Sequence, residues 1–561
     1  MPTLVCVPIT VLKIDNALAD ANQAKLLGAD IVELRIDSYF PGSEGDSEDQ
    51  LRLNELTRLI AECPLPVILT CRSAMEGGDY DGDEADRVSL LEKLCINTDH
   101  PPAYLDFELA CYQKSANIRQ KINLCVDHPK QERDVRTRLI LSMHDFDGRP
   151  KDLMRRLADA WAEPAASVVK FAFRARSIRD NLEIFEILRD APKPTIGLGM
   201  GEFGLMSRVL APKFGGFLTF ASLRDEAATA PGQPTIADLL GMYRFRSIGK
   251  DTRLYGVIGW PVAHSMSPLI HNAGFEAVGH DGVYLPMPVA ATDDKDASYL
   301  SFKETFFEIL LADSMHLGGV SVTIPFKEHA AHLVRNEGWF GNLHPWPPLA
   351  INTLAVSGTD ELKITSENSD QDAIDDLIMD AEHDANWSIA SVHIYGTGGV
   401  AKAAIAASFT RRTCVVGRNI EKTIELVDEM LTLLPQERVN RSAESSWLSA
   451  ASGILQPLSY KPIFINCTPV GMTGGPDPEG LSIPVHELAS KLSPDTVFFD
   501  TVYNPIETPM LKAAKEHGFR TIDGVEMFVR QAAAQFELWT GKPAPVQLFD
   551  RLVREKLGSS S

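Results

Sequence analysis

The sequence predicts an α/β protein of several domains that opens with a (β/α)8 barrel. Up to about residue 225, short β-rich runs recur roughly every 30 residues, with amphipathic stretches of helical apolar spacing between most of them. After residue 253 a second α/β pattern begins, and near its middle an apolar strand runs through a glycine turn into an alanine-rich helix. The 561 residues, 44% of them hydrophobic, suffice for three domains at about 100 to 200 residues each.

The eight runs, in order, are TLVCVPIT, ADIVELRID, PVILTCR, AYLDFEL, TRLILSMHD, SVVKFAF, PTIGLGMG and GFLTFAS. DNLEIFEILRD, Asp180 to Asp190, typifies the helices between them. Polar residues gather where strands end, at Glu33, Arg35, Arg72, His144 and Lys170, the face on which barrels of this kind carry their chemistry. A connector, Gly241 to Arg253, leads to LYGVIGWPVAHSMSPLIHNAGF, and the glycine turn lies in SVHIYGTGGVAKAAIAASF, Ser391 to Phe409. No internal repeat is visible. The acidic run EGDSEDQ reads as a solvated loop and the trailing GSSS as a flexible end.

A net charge of −22 argues against a nucleic-acid partner or an anionic membrane, so any phosphate or carboxylate ligand must be met by local arginines and lysines. The eight cysteines form no CxxC pair and read as reduced core residues. MPTLVCVPIT lacks a basic leader, and no run approaches the ~20 apolar residues of a membrane helix. A cytoplasmic protein is expected, and the sequence leaves its oligomeric state open.

Lys170 lies mid-strand among Val168, Val169, Phe171 and Phe173. A desolvated amine with a depressed pKa is a nucleophile toward carbonyls and would form a Schiff base, for which His144 is a base of suitable intrinsic pKa. The alternative is a lysine that snorkels or pairs with a carboxylate. Arg35, Arg72 and Arg208 would depress the amine further and bind a carboxylate substrate, while Glu33 and Glu76 balance charge and orient the histidine.

These residues sit in VELRID, TCRSAMEGG, SMHDF, VVKFA, MGEFGLMSR and APGQPT, through which residues 1–240 resemble type I 3-dehydroquinate dehydratases. The resemblance implies that Lys170 forms the Schiff base at the C3 ketone. His144 then removes the C2 proton and helps expel the C1 hydroxyl, and Glu33, Arg35, Arg72, Glu76, Arg208, Thr229 and Gln233 hold the substrate. Thr229 stands where a serine is usual, so the hydroxyl survives.

In the second half, Gly396, Thr397, Gly398 and Gly399 form a turn whose backbone amides suit a pyrophosphate, or which serves close helix–strand packing alone. The next strand ends in Gly417 and Arg418, with Lys422 one turn on, where NAD binders carry an acid. A guanidinium suits a 2'-phosphate, which favours NADP, although an ordinary solvated basic turn fits too. Lys327, at a strand-to-helix turn, and Asp370, at a helix start, offer a proton shuttle for hydroxyl oxidation, with Ser265 and Ser267 to hold a carboxylate.

Through HSMSPLIHN, SVTIPFKE, INTL, ENSD, GTGGVAKA, INCTPVGM, DTVYNP and EMFVRQAAAQF, this half resembles shikimate dehydrogenases. The resemblance implies Lys327 and Asp370 as the catalytic pair and Ser265, Ser267, Thr323, Asn352, Tyr503 and Gln531 around the substrate. It places Gly396, Thr397, Gly398, Gly399, Arg418, Lys422 and Met472 at the NADP site. It also implies a two-domain α/β module, with a substrate-binding domain over 254–375 completed by 520–561 and a Rossmann domain over 376–519. Departures are Met266 for the usual lysine, Phe326 for histidine, NSD for NTD, and Gly417-Arg418-Asn419 where the NADP loop usually reads NRT. They bear on cofactor preference and on the choice between shikimate and quinate, the alternative being a dehydratase fused to a quinate-type dehydrogenase, and the presence of both Ser265 and Ser267 favours shikimate. The whole chain resembles bifunctional dehydroquinate dehydratase/shikimate dehydrogenases, and the fusion of consecutive steps supports that reading. A silent metabolite-sensing regulator is the alternative from another class, but it predicts lost catalytic residues. His329 and His332 read as solvated helix residues, and no metal is expected.

Overall fold

The computed structural model describes residues 2–40, 46–96, 99–130, 135–227, 232–336, 340–342, 350–358, 363–385, 391–408, 410–433, 448–452 and 461–558. Two compact units emerge, one of Met1–Thr252 with Phe307–His316, the other of Arg253–Phe306 with Leu317–Ser561.

In the first unit all eight β-rich runs are strands: β1 (Leu4–Thr10), β2 (Ile31–Arg35), β3 (Val67–Thr70), β4 (Tyr104–Glu108), β5 (Arg138–Asp145), β6 (Ala166–Arg174), β7 (Thr195–Met200) and β8 (Leu218–Phe220). They pair in parallel in the order β7-β6-β5-β4-β3-β2-β1-β8. Just ahead of β8, the Phe217 amide donates to the Thr195 carbonyl at 2.9 Å, bringing the two edges of the barrel together. Residues 46–50 of the acidic run, expected in a solvated loop, instead open the helix Asp46–Glu62, where the Glu48 and Asp49 carboxylates complement the helix dipole.

Side chains alternate along a strand, so inward positions recur every second residue. Ile31, Ile68, Tyr104, Ile140 and Val168 belong to one buried apolar cluster inside the barrel. One alternation step toward the strands' C-terminal ends, the same strands place Glu33, Thr70, Asp106, Ser142 and Lys170, all buried. The polar layer therefore rests directly on an apolar floor.

The second unit holds two sheets. β9 (Arg253–Gly259), β10 (Gly282–Pro288), β11 (Leu317–Val322), β12 (Phe340–Asn342), β13 (Thr353–Ser357) and β14 (Lys363–Glu367) form a mixed sheet ordered β10-β9-β11-β13-β14-β12, with β13 antiparallel to both neighbours. β15 (Ser391–Tyr395), β16 (Thr413–Gly417), β17 (Leu448–Ser452), β18 (Pro462–Asn466), β19 (Val497–Asp500) and β20 (Arg520–Ile522) form a parallel sheet ordered β17-β16-β15-β18-β19-β20. This doubly wound order has its switch point between β15 and β18, where such folds bind ligands.

The C-terminal helices Gly524–Thr540 and Val546–Gly558 return to the mixed sheet. Val525, Val529, Phe536, Trp539, Phe549 and Val553 are buried in one cluster with Tyr255, Val257 and Tyr284. The helix Ser369–Ala385 runs through the 375/376 boundary expected from sequence. Its Ala373, Ile374, Leu377 and Ile378 join the core of the parallel sheet, while its first turn carries Asp370.

Candidate active sites

In the barrel, Lys170 Nζ lies 3.2 Å from Asp106 Oδ2 and 3.5 Å from Glu33 Oε1, and 4.6 Å from the centre of the Phe220 ring. This revises the arginine-flanked amine expected from sequence. Arg72 donates to Asp106 (2.8 Å) and Ser142 (2.8 Å), and Arg35 pairs with Asp37 through Nε (2.9 Å) and Nη2 (2.8 Å). Burial alone would raise the Asp106 carboxyl, but Arg72 and Lys170 hold it below the usual carboxylate range. Asp106 and its neighbour Glu108 were missed in the sequence. The signal was present in AYLDFEL, where two acids occupy alternate positions of a buried strand.

His144 closes the top of this layer. Glu76 Oε2 accepts from the His144 backbone amide (3.1 Å) and lies 3.0 Å from Nδ1. Burial, reinforced by Arg72 and Lys170, pushes the imidazole well below its ordinary pKa, so it is neutral and able to accept a proton. Burial also raises Glu76, to about 7. If ionised Glu76 supports the imidazolium formed in turnover, kcat/KM of this half should rise as pH passes about 7. Glu76→Gln should flatten that limb, and a pH–rate profile unchanged in the variant would count against the role.

Arg208 is fully buried and its Nε has no hydrogen-bond partner among the described residues, while burial lowers its pKa to about 10. A buried cation left open on one side suits an anionic ligand group. Gln233 is half-buried, and Thr229 lies outside the described residues.

In the second unit, Lys327 opens the helix Lys327–Asn336, and its Nζ lies 2.5 Å from Asp370 Oδ2. Asn352 fixes the start of the helix that carries Asp370. Its Oδ1 accepts from the Ser369 amide (2.9 Å), and its Nδ2 donates to the Ser369 hydroxyl (3.0 Å). A polar chain links this pair to the serine turn. Tyr284, which also engages Ser267, donates to Ser321 (2.7 Å), and Ser321 donates to Gln535 (2.8 Å). Gln535 in turn donates to Thr353 (3.0 Å), which donates to Asn352 (2.7 Å).

Sequence reasoning missed Tyr284, Ser321, Ser369 and Gln535. Gln535 was findable, since it lies four residues after Gln531 and so on the same helix face. Ser265 accepts from the Ser267 amide (3.3 Å), Gln531 donates to the Phe528 carbonyl (2.9 Å), and Tyr503 stacks on Phe528 at 4.7 Å. Thr323 is half-buried directly after β11.

The glycine turn lies against this pair. A Cβ on Gly399 would sit 3.3 Å from Lys327 Cδ, and one on Gly396, whose φ is +127°, would meet the Cys467 carbonyl at 2.8 Å. The turn thus delivers the N-terminus of the helix Gly399–Ser408 to the lysine with room for nothing larger than glycine at Gly396. Thr397 and Met472 are half-buried nearby in sequence to the turn and to β18, respectively, and Arg418 and Lys422 are exposed after β16. These donors and the absence of an acid at the end of β16 fit a dinucleotide with a 2'-phosphate.

A family model described as Type I 3-dehydroquinase matches residues 5–250. Others, for the Shikimate dehydrogenase substrate binding domain and the Shikimate 5'-dehydrogenase C-terminal domain, match residues 257–337 and 524–554. Over 98% of its length the chain is 33% identical to the bifunctional 3-dehydroquinate dehydratase/shikimate dehydrogenase, chloroplastic, of Arabidopsis thaliana, and covers 84% of that protein. The chain belongs to the bifunctional 3-dehydroquinate dehydratase/shikimate dehydrogenase family.

This bifunctional-family chain is also 33% identical, over 54% of its length, to the Shikimate dehydrogenase (NADP(+)) of Methanosarcina acetivorans, 99% of which it covers. It is 29% identical, over 99% of its length, to the Pentafunctional AROM polypeptide of Eremothecium gossypii, of which it spans 32%. Among solved structures, the dehydroquinate dehydratase and shikimate dehydrogenase from S. pombe AroM aligns over 98% of both chains at 22% identity and a TM-score of 0.41.

Two departures of the bifunctional-family chain from its expected motifs now have a structural setting. Phe326 is fully buried and stacks on Phe302 at 5.4 Å, so it serves the core beside Lys327. Met266 directly precedes the helix Ser267–Ala277, between the two serines. The histidines read as solvated are placed differently. His329 packs on Tyr299 and Phe326 with a buried Nδ1, whereas His332 is exposed and bonds Asn336 at 2.8 Å. Among the described residues no cluster of metal-ligating side chains occurs, and no helix is long and apolar enough to cross a membrane.

Proposed function

We propose that the chain carries out two consecutive reactions, dehydration of 3-dehydroquinate to 3-dehydroshikimate in the barrel and reduction of 3-dehydroshikimate to shikimate in the second unit. The observation that carries the first assignment is Lys170 Nζ held between Asp106 and Glu33 beneath the His144–Glu76 pair. The Lys170 amine adds to the C3 ketone and water leaves, giving an iminium whose charge the two carboxylates offset. Neutral His144 takes the C2 proton, and the resulting imidazolium returns it to the departing C1 hydroxyl, which leaves as water. Hydrolysis of the conjugated imine frees the product. Arg208 and Arg72 supply cations for the substrate's anionic and polar groups.

In the second unit the reaction needs a hydride, which NADPH supplies when bound. Lys327 hands a proton to the carbonyl oxygen as it becomes a hydroxyl, and Asp370 holds the ammonium in place. Ser265 and Ser267 hold the carboxylate, and Tyr503, Gln531, Thr323 and Asn352 orient the ring hydroxyls. The turn from Gly396 to Gly399, with Thr397 and Met472, cradles the dinucleotide. Arg418 and Lys422 meet its 2'-phosphate.

We further assign residues 1–240 to the dehydratase barrel, 254–375 with 523–561 to the substrate-binding domain and 376–522 to the NADP domain, the boundary expected at 519/520 moving to 522/523 because β20 (Arg520–Ile522) pairs with β19. The eight free cysteines fit a reducing compartment such as the cytoplasm.

Incubation with 3-dehydroquinate and NADPH should yield shikimate, identified by chromatography, and NADH should support little turnover. Quinate as product, or turnover with NADH alone, would overturn the second assignment. Unchanged 3-dehydroquinate would overturn the first.

A further inference from the structure

Two residues beyond Asp106, at the C-terminal end of β4, lies a second buried acid. Glu108 ends β4, is 1% exposed, and faces three donors. Its Oε1 accepts from the Ser73 backbone amide (3.0 Å) and lies 3.2 Å from Arg72 Nη1, while its Oε2 accepts from Arg87 Nη1 (2.8 Å). Arg87, fully buried on the helix Glu84–Ile96, also donates to the Cys71 carbonyl (2.7 Å), pairs with Glu84 and covers the Phe107 ring at 4.7 Å. The Glu108 carboxylate is thereby fixed from behind, and its other oxygen is directed at residues 72 and 73.

Those two residues begin the segment that supplies the site. Arg72 reaches Asp106, the partner of Lys170. Ser73 starts a tight turn in which Ala74–Glu76 forms one 3-10 turn and the Gly78 amide donates back to the Ser73 carbonyl (3.0 Å). Glu76, three residues after the anchored amide, is the group that meets both the backbone and the ring of His144. We propose that Glu108 is a positioning residue of the dehydratase, fixing Arg72 and, through the Ser73 amide, the turn whose Glu76 aims the His144 imidazole. This rests on the reading of Lys170 and His144 given above. A charge-assisted anchor on a short turn transmits displacement, and an error of about 1 Å in a proton-transfer group costs on the order of 10²-fold in rate.

The Ser73 anchor can be cut without changing the acid. Ser73 has φ −66° and ψ 143°, which proline adopts without strain, and its amide hydrogen goes to Glu108. Ser73→Pro removes that hydrogen bond, and Ser73→Ala controls for the hydroxyl, which accepts from the Met75 amide. Kinetics on 3-dehydroquinate are measured alongside borohydride trapping of the Lys170 adduct.

The expected result is a kcat lowered about 10- to 100-fold in Glu108→Gln and about 10-fold in Ser73→Pro, with the adduct still trapped, since imine formation precedes the step that His144 performs. Ser73→Ala should stay within about threefold of the parent. Ser73→Pro matching Ser73→Ala, or Glu108→Gln turning over at the parental rate, overturns the proposal. If Glu108→Gln fails to fold, the Ser73 pair decides. Absence of a trapped adduct in the parent would instead remove the Schiff-base reading itself.

Discussion

Lys170→Ala lowers kcat for the dehydration of 3-dehydroquinate on the order of 10⁶-fold, as loss of a covalent nucleophile does elsewhere, and leaves reduction of 3-dehydroshikimate unchanged. The lysine occupies the one inward position of β6 that faces two carboxylates, Asp106 and Glu33. Without its amine no iminium forms, so the C2 proton loses the electron sink that makes it acidic, and His144 has nothing to deprotonate at a useful rate. The variant also leaves Asp106, fully buried and bonded to Arg72 and Ser142, short of one cation. Some loss of barrel stability is therefore expected, and a thermal melt separates it from the catalytic loss. Lys170→Met removes the amine while keeping the side-chain volume and should show the same rate. The assay is product formation with and without borohydride, and parental turnover in either variant would end the Schiff-base assignment.

Much of this architecture was legible in the sequence because period and punctuation agreed. Eight runs of strand character separated by amphipathic stretches became β1 to β8, and DNLEIFEILRD became the helix Asp180–Asp190. Lys327 and Asp370 were placed at helix starts by the local pattern alone. The charge pairing was not legible. The sequence shows that Lys170 has apolar neighbours along β6, but those point outward or belong to the floor. The residues beside its amine come from β2 and β4, 137 and 64 positions away. The meaning of Asp106 depends on register: Asp106 pairs with Ile140 on β5, and Ser142 with Lys170 on β6. The polar chain through Ser321 and Gln535 was hidden for the same reason, because its members lie 214 residues apart and meet only when the C-terminal helices return to the mixed sheet. The acidic run at residues 46–50 failed differently. Its composition suggested a solvated loop, but acids at a helix N-terminus are favoured by the dipole, and that local effect won.

The complementary substitution, Lys327→Met, should lower shikimate formation about 10²- to 10⁴-fold, the range for removing a positioned proton donor, and spare the dehydratase. The basis is the 2.5 Å pair with Asp370, set where the glycine turn brings the helix Gly399–Ser408 against the lysine. Hydride addition to a carbonyl builds negative charge on oxygen, and a cation donating a proton at that oxygen lowers the barrier where charge develops. Asp370→Asn tests the other partner. The amide preserves shape and leaves the start of its helix capped through Ser369 and Asn352, but it withdraws the charge that holds the ammonium. Its kcat should fall with little change in the KM for 3-dehydroshikimate, because Ser265, Ser267 and Tyr503 remain. A change confined to KM would recast Asp370 as a substrate ligand. Given 3-dehydroquinate and NADPH, Lys327→Met accumulates 3-dehydroshikimate, whereas Lys170→Ala leaves 3-dehydroquinate untouched yet still reduces added 3-dehydroshikimate. Each variant thus reports the integrity of the half it does not alter, and a thermal melt separates lost chemistry in the altered half from its local unfolding.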